Sequence, residues 1–231
     1  MKILVINPGS TSTKIAVYEN DTPRLVRNIR HTVDELSSFS HIIDQFEFRK
    51  NLVLKELEAD NIPFEFDAIV GRGGLLIPIP GGVYEVNDAM LDDILHAMRT
   101  HACNLGCLIA SELAALLPGC RAFIADPGVV DELDEIARIT GSPLMPRITI
   151  WHALNQRAIA RRYAAAQHVR YEDLDLIVCH LGGGISVGVH HHGKAVDVNN
   201  ALDGEGPFSP ERAGTLPAGQ LIDLCCCGRY T

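Results

Sequence analysis

Apolar and polar positions along the chain follow two periods, one of about two residues and one of three to four, and the periods take turns. Ile3 to Ile6 is a continuous apolar run, followed by a turn at Pro8-Gly9-Ser10-Thr11-Ser12. Beyond it Ile15 and Val17 alternate with Lys14 and Ala16, as a half-buried strand should. Residues 46–60 read as a helix with Leu52, Val53 and Leu57 inward, followed by Pro63 and a strand at Ala68-Ile69-Val70. Asn87 or Asp88 can cap a helix that carries Leu91, Ile94, Leu95 and Met98 at three-and-four spacing. A further helix runs from about Asn104 to Leu117 and stops at Pro118-Gly119, and a short strand at 122–125 leads into Asp126-Pro127-Gly128. Residues 152–166 are alanine-rich and helical in pattern. Alternating strands and helices predict an α/β architecture. The prolines at 143 and 146 mark a boundary between a first domain over 1–147 and a second over 148–231.

The opening pattern returns in the second part. Leu174 to Leu181 reads as a buried strand that ends in Gly182-Gly183-Gly184, and Ile185, Val187 and Val189 then alternate in a second strand. Setting residues 178–182 on residues 5–9 superimposes the two turns. Few residues are identical, yet the echo predicts two domains that each open on a related β-hairpin.

Composition narrows the function. The chain has 231 residues, 47% of them hydrophobic, which is enough for a sizeable core. A formal charge of −9 argues against non-specific nucleic-acid binding. An anionic ligand would therefore depend on a few local cations, which makes single arginines in glycine-rich loops informative. No segment approaches a membrane span, and the first residues lack a signal-peptide pattern. Seven cysteines without secreted spacing point to reduced thiols and a cytoplasmic setting.

A tight turn between two strands presents backbone N–H groups on its inner side, and such nests bind anions. Glycine lets the backbone approach a phosphate without a Cβ in the way. Ser10, Thr11 and Ser12 add hydroxyl donors, and Lys14 projects from the same strand face as Ser12. Gly182, Gly183 and Gly184 can serve a second phosphate group. Either turn alone is more often an ordinary hairpin; two in matching contexts favour phosphate binding.

The segment Asn7-Pro8-Gly9-Ser10-Thr11-Ser12-Thr13-Lys14 resembles the first phosphate segment of the acetate and butyrate kinase family. Residues 178–184 resemble its second. Gly71-Arg72-Gly73-Gly74, Ala125-Asp126-Pro127, Trp151-His152-Ala153-Leu154-Asn155-Gln156 and residues 204–214 around Arg212 complete the set in order. The last of these, with the opening Asn-Pro-Gly-Ser-Thr, is similar to the butyrate kinase branch. The resemblance covers essentially the whole chain. It implies the actin-like ATPase (ribonuclease H-like) fold, with a complete first domain and a partial second one.

The implied reaction moves the γ-phosphoryl of ATP onto a short-chain fatty acid, giving an acyl phosphate and ADP. An acid with a pKa near that of Glu, about 4.3, is already ionised at neutral pH. The need is therefore less for a base than for neutralisation of two approaching anions. By resemblance Arg72 and Arg212 hold the carboxylate and the phosphoryl in flight, each guanidinium able to grip an oxyanion with two hydrogen bonds. His152 stabilises the transferring phosphoryl and His180 contacts the nucleotide phosphates. Asp126 and Asn7 help hold Mg²⁺, while Asn7, Ser10, Ser12, Lys14 and Gly182 to Gly184 contact phosphate. Read without the family, His152 is a helix cap or a satisfied core histidine, His180 is structural, Asp126 is a helix cap, and the arginines are surface residues in glycine loops. The apolar run at Gly73 to Pro78 suits a carbon tail of undetermined length. The resemblance also implies a homodimer.

Other conspicuous residues carry less. His190-His191-His192 reads as an exposed hairpin tip, because adjacent histidines on a strand point alternately and share ligation poorly. Cys225-Cys226-Cys227 lacks the spacer of a zinc knuckle and reads as the apolar end of a helix. Cys103 and Cys107, like Met90 and Met98, read as core packing. Family members run on past the position of Thr231 with an adenosine-binding glycine segment, an acidic metal-binding residue and a closing helix. The expectation is an unfinished second sheet with an exposed edge, poor ATP binding and slow turnover or none. The alternatives are a phosphate-binding module without catalysis and a kinase for acetate, propionate or a branched-chain acid.

Overall fold

Residues 1–97 and 99–230 are described by a computed structural model. They form two compact units, one of residues 1–78 and 82–127, the other of residues 79–81 and 128–231.

In the first unit the opening apolar run becomes β1 (Lys2–Pro8), which turns back into β2 (Ser12–Glu19) and then β3 (Thr22–Arg30) as an antiparallel meander. A short α1 (Val33–Ser37) starts on a capping box, with Thr32 and Glu35 bonded reciprocally. Then come α2 (Phe46–Ala59), β4 (Ala68–Arg72), β5 (Val83–Glu85), α3 (Asp88–Leu95), α4 (Asn104–Ala115) and β6 (Arg121–Ala125). Asn87 caps α3 by accepting from the Met90 amide. The sheet order is β3-β2-β1-β4-β6-β5, with β1, β4 and β6 parallel and β5 antiparallel at the edge. Leu4, Ile6, Ile15, Val17 and Ile69 on one sheet face pack with Val53 and Leu57 of α2 and with Leu105, Ile109 and Leu113 of α4 in one buried core. Helix α4 lies unusually close to β4. A Cβ on Gly71 would stand 2.1 Å from the Gly106 carbonyl oxygen, so both positions must be glycine.

The second unit contains α5 (Ala153–Ala166), β7 (Asp175–Leu181), β8 (Ile185–His191), β9 (Lys194–Val198) and α6 (Ala218–Cys226). The three strands form one antiparallel sheet in the order β7-β8-β9. Ala160 and Ala164 of α5 pack with Tyr171, Leu174, Leu176 and Val178 on one face. A second cluster joins Val130, Leu133, Trp151, Ala153, Ala195 and Val198.

Several expectations change here. The units divide after Pro127 rather than at 147/148, because residues 128–147 are tied into the second unit. Trp151 N bonds Gly128 O at 2.9 Å, Asp134 N bonds Val196 O at 2.9 Å, and Asp131 N bonds Ile79 O at 3.0 Å. The second sheet has three strands, β9 joining the expected hairpin. In β8 the buried residues are Ser186, Gly188 and His190, while Ile185, Val187 and Val189 face outward, the reverse of the apolar reading. His191 and His192 do lie at the β8–β9 tip, where His192 and Gly193 have φ of 47° and 78°, but His190 is fully buried. Cys103 and Cys107 are core residues whose thiols burial pushes up to about 11 and about 12. Met98, expected on the apolar face of α3, falls outside the described residues.

Candidate functional site

In the first unit the expected residues gather at one edge of the sheet, where the parallel strands β1, β4 and β6 end. Ligands of open α/β sheets bind outside such carboxyl ends. Register places Lys14 opposite Asn7, Ile6 beside Gly71 and Arg72 beside Ala125. Lys14, Asn7 and Arg72 thus share one row, on the face away from the buried Ile6 and Ile15. Arg72 Nη1 donates to Asn7 Oδ1 at 3.4 Å. The β1–β2 turn is closed by Gly9 N bonding Ser12 O at 2.7 Å, which leaves Ser10 exposed at its tip and Ser12 half-buried.

Asp126 follows Ala125 at the same edge, buried and with φ of 37°. No helix starts there, so the capping reading fails. Its Oδ1 accepts from Gly82 N at 2.9 Å, and Asp126 N returns a bond to Gly82 O at 2.8 Å. The loop after Arg72 is tight rather than open. A Cβ on Gly73 would stand 2.7 Å from Pro127 Cβ and one on Gly74 2.8 Å from Asn104 Cα. Asn104 Oδ1 accepts from Leu75 N at 3.0 Å, Leu76 is buried, and Ile77 points to solvent. A cavity of about 540 Å³ in this unit is lined by residues of α2, α3 and α4, among them Phe46, Leu91 and Leu108, and by none of the expected site residues.

In the second unit His152, His180, the Gly182–Gly184 turn and Arg212 come together. His152 precedes α5 but makes no side-chain cap bond. Its Nδ1 lies 2.9 Å from Ser186 Oγ, and its ring stacks on His180 at 3.7 Å and 6°. Asn155 Nδ2 donates to His180 Nδ1 at 2.8 Å. A Cβ on Gly184 would approach His152 Cε1 to 3.2 Å, so glycine here lets the turn lie against the imidazole. The segment carrying Arg212 docks on the same turn. Gly183 O accepts from Glu211 N at 3.1 Å and from Ser209 Oγ at 2.6 Å, and Arg212 Nη1 donates to Glu211 O at 2.8 Å. The Glu211 carboxylate lies where a Gly183 Cβ would be, 2.6 Å from it. An acid beside the turn opposes anion binding there unless Arg212, 3.5 Å from Glu211 Oε2, offsets it.

Sequence reasoning missed the residues behind these groups. Ser186, Gln156 and His190 connect to His152, and Arg49 braces the first turn through Ser12 O at 3.1 Å and Thr13 Oγ1 at 2.9 Å. The available signal was polarity at the inward period of a strand or helix, which apolar patterning ignores.

No protein-family model matches the chain. It is 78% identical over all 231 residues to a protein named probable butyrate kinase from Bacteroides thetaiotaomicron, and 58% to one so named from Phocaeicola vulgatus. It is 55% identical to butyrate kinase 2 of Clostridium acetobutylicum. The chain spans 65% of the length of each of these relatives. Among solved structures it resembles Porphyromonas gingivalis acetate kinase, with a TM-score of 0.71 at 20% identity, covering 100% of this chain and 65% of that one. It also resembles a propionate kinase from Francisella tularensis, with a TM-score of 0.67 at 17% identity and the same coverages. At such identities these likenesses establish the fold, the actin-like ATPase fold of the acetate kinases. Among the described residues no helix is long and apolar enough to cross a membrane.

Proposed function

This chain belongs along its whole length to the acetate and butyrate kinase family, and from that we propose that the protein transfers the γ-phosphoryl of ATP to a short-chain fatty acid, butyrate first. One carboxylate oxygen of the acid bonds to the γ-phosphorus as the bond to the ADP oxygen breaks, giving butanoyl phosphate, and the reaction is reversible. The observation that carries the proposal is the row of Asn7 and Arg72 at the strand ends, with Asp126 just beyond, in a chain 78% identical to a protein named for that activity.

The first unit contributes Arg72 to neutralise the oxyanions, with Asn7, Ser10, Ser12 and Lys14 on phosphate. The second contributes Arg212, and His152 and His180 as N–H donors to phosphoryl oxygens, with the Gly182–Gly184 amides on the nucleotide. Phosphoryl transfer is mostly positioning and charge stabilisation, which suits guanidinium groups and no strong base. Mg²⁺ bound to the nucleotide phosphates fits the hard oxygens of Asp126 and Asn7, because it keeps most of its own water and needs only one or two protein ligands. It would neutralise phosphate charge. A homodimer in the cytoplasm completes the proposal, and seven free cysteines support that compartment.

The test is acyl hydroxamate formation from ATP, Mg²⁺, hydroxylamine and a panel of acids. Slow product that saturates with butyrate and disappears in Arg72→Ala and in Arg212→Ala supports the proposal. Product indifferent to both substitutions refutes it. The acid beside the second turn favours one other reading, a phosphate-binding chain without turnover, whose signature is acyl phosphate binding with no hydroxamate.

A further inference from the structure

A line of hydrogen bonds runs behind His152, and each bond in it has one direction. His190 is fully buried, and desolvation, with the Arg157 charge as a second cause, pushes its pKa down to about 4. The ring is therefore neutral and carries one N–H. Gln156 Nε2 lies 3.0 Å from the Ser186 carbonyl oxygen, which can only accept, so the amide orientation is fixed with Nε2 as donor. Gln156 Oε1 must then accept from His190 Nε2, 2.9 Å away. With that proton on Nε2, His190 Nδ1 accepts from the Tyr171 hydroxyl at 2.5 Å.

The same Gln156 amide donates to Ser186 Oγ at 2.8 Å, and His152 N reaches that oxygen at 3.4 Å. Facing two donors, Ser186 turns its own hydrogen to His152 Nδ1 at 2.9 Å. Nδ1 is thus an acceptor, and the proton of a neutral His152 sits on Nε2. His180, stacked on it, has its own Nδ1 2.8 Å from Asn155 Nδ2.

We propose that Tyr171, His190, Gln156 and Ser186 form a one-way hydrogen-bond relay that holds His152 as its Nε2–H tautomer, so that it meets the transferring phosphoryl as a neutral donor. The relay residues are positioning residues, since they touch His152 or one another and not the substrate. The phosphoryl part rests on the function proposed above; the tautomer does not.

The experiment is long-range ¹H–¹⁵N correlation on the full chain with ¹⁵N-labelled histidine near pH 7.5, together with steady-state hydroxamate kinetics. In the unsubstituted chain His152 Nδ1 should resonate as unprotonated and Nε2 as protonated. Ser186→Ala should bring in the Nδ1–H form and average the two shifts. Gln156→Glu should reverse the relay, because a carboxylate accepts the Ser186 hydrogen, and push His152 toward Nδ1–H. Both should lower kcat about tenfold with KM for butyrate unchanged, less than the hundredfold or more lost with a whole oxyanion donor. A protonated Nδ1 in the unsubstituted chain overturns the relay, as does an unaltered tautomer in both variants. No product from any chain would favour the reading without turnover and strike the phosphoryl role of His152, while the tautomer result would stand or fall by itself.

Discussion

The two glycine hairpins each bury one hydroxyl, at the second residue of the outgoing strand, and surround it with opposite chemistry. Thr13 in β2 accepts from Arg49 at 2.9 Å and bonds His31 Nε2 at 2.8 Å. Arg49 has no exposed surface, and its other bonds go to the neutral oxygens of Gln45 and Ser12. Burial lowers its pKa only to about 10, so it remains charged at neutral pH. Ser186 in β8 has a neutral amide, Gln156, and a histidine for partners. The first turn therefore has a buried cation behind it, while the second has a neutral relay behind it and the Glu211 carboxylate beside it. A shared backbone pattern has been given two electrostatic settings, and only the first attracts an anion without help from Arg212.

The largest expected effect comes from removing the cation. Arg49→Met should cost about 3 kcal/mol in urea unfolding, because it strands the Gln45 and Thr13 oxygens in the core. It should also weaken anion binding at the first turn. A cost under about 1 kcal/mol would mean the two turns are braced alike.

The second effect concerns pH. His190 has a folded pKa of about 4 against an unfolded 6.5, so below 6.5 the unfolded chain takes up a proton that the folded chain does not. Its contribution is fully present above pH 6.5 and is lost as pH falls to about 4, about 3 kcal/mol in the limit. Burial also lowers His31, which acts in the same direction in the first unit. In His190→Gln the slope of stability between pH 6.5 and 4 should flatten but not vanish. An unchanged slope would contradict the burial of a neutral ring.

Gln156→Leu should cost about 2 kcal/mol through the unpaired Ser186 and His190 groups, less than Arg49→Met, as the milder chemistry of the second hairpin predicts. The smallest effect lies on the outer face of the second sheet, where Ile177 is 73% and Leu181 74% exposed. Ile177 pairs with Val189, Cys179 with Val187 and Leu181 with Ile185, giving an apolar face on which Ile177, Leu181 and Val189 are exposed, with β7 at the edge of the sheet among the described residues. Such surfaces associate. Ile177→Lys should change unfolding free energy by less than about 0.5 kcal/mol while reducing aggregation measured by light scattering.

The elements of the fold were legible because their signals were local. The apolar run of β1, the cap at Asn87 and the Pro118-Gly119 stop each act within a few residues. What the sequence could not reveal was which face of β8 is inward. Its alternation is clear, but the apolar residues point out and Ser186, Gly188 and His190 point in, because α5 brings Gln156 against that face. A Cβ on Gly188 would come within 2.5 Å of Gln156 Oε1. The unit boundary was misplaced for a similar reason, since Pro143 and Pro146 mark a surface loop and the chain had already joined the second unit at Gly128. The candidate site residues were singled out only through family motifs. Asp126 or His152 alone pointed to capping; no helix follows Asp126, and His152 stands at the N-cap of α5 without a side-chain cap bond.

The most direct test of the central claim, that the strand ends bearing Asn7, Arg72 and Asp126 grip an acyl phosphate, is a ³¹P NMR titration of butanoyl phosphate with this chain. Concentration-dependent broadening and shift of the phosphorus signal, lost in Arg72→Ala while that variant's fold is unchanged by circular dichroism, is the predicted result. A signal unperturbed by the folded chain at millimolar ligand, or perturbed equally by Arg72→Ala, would contradict it.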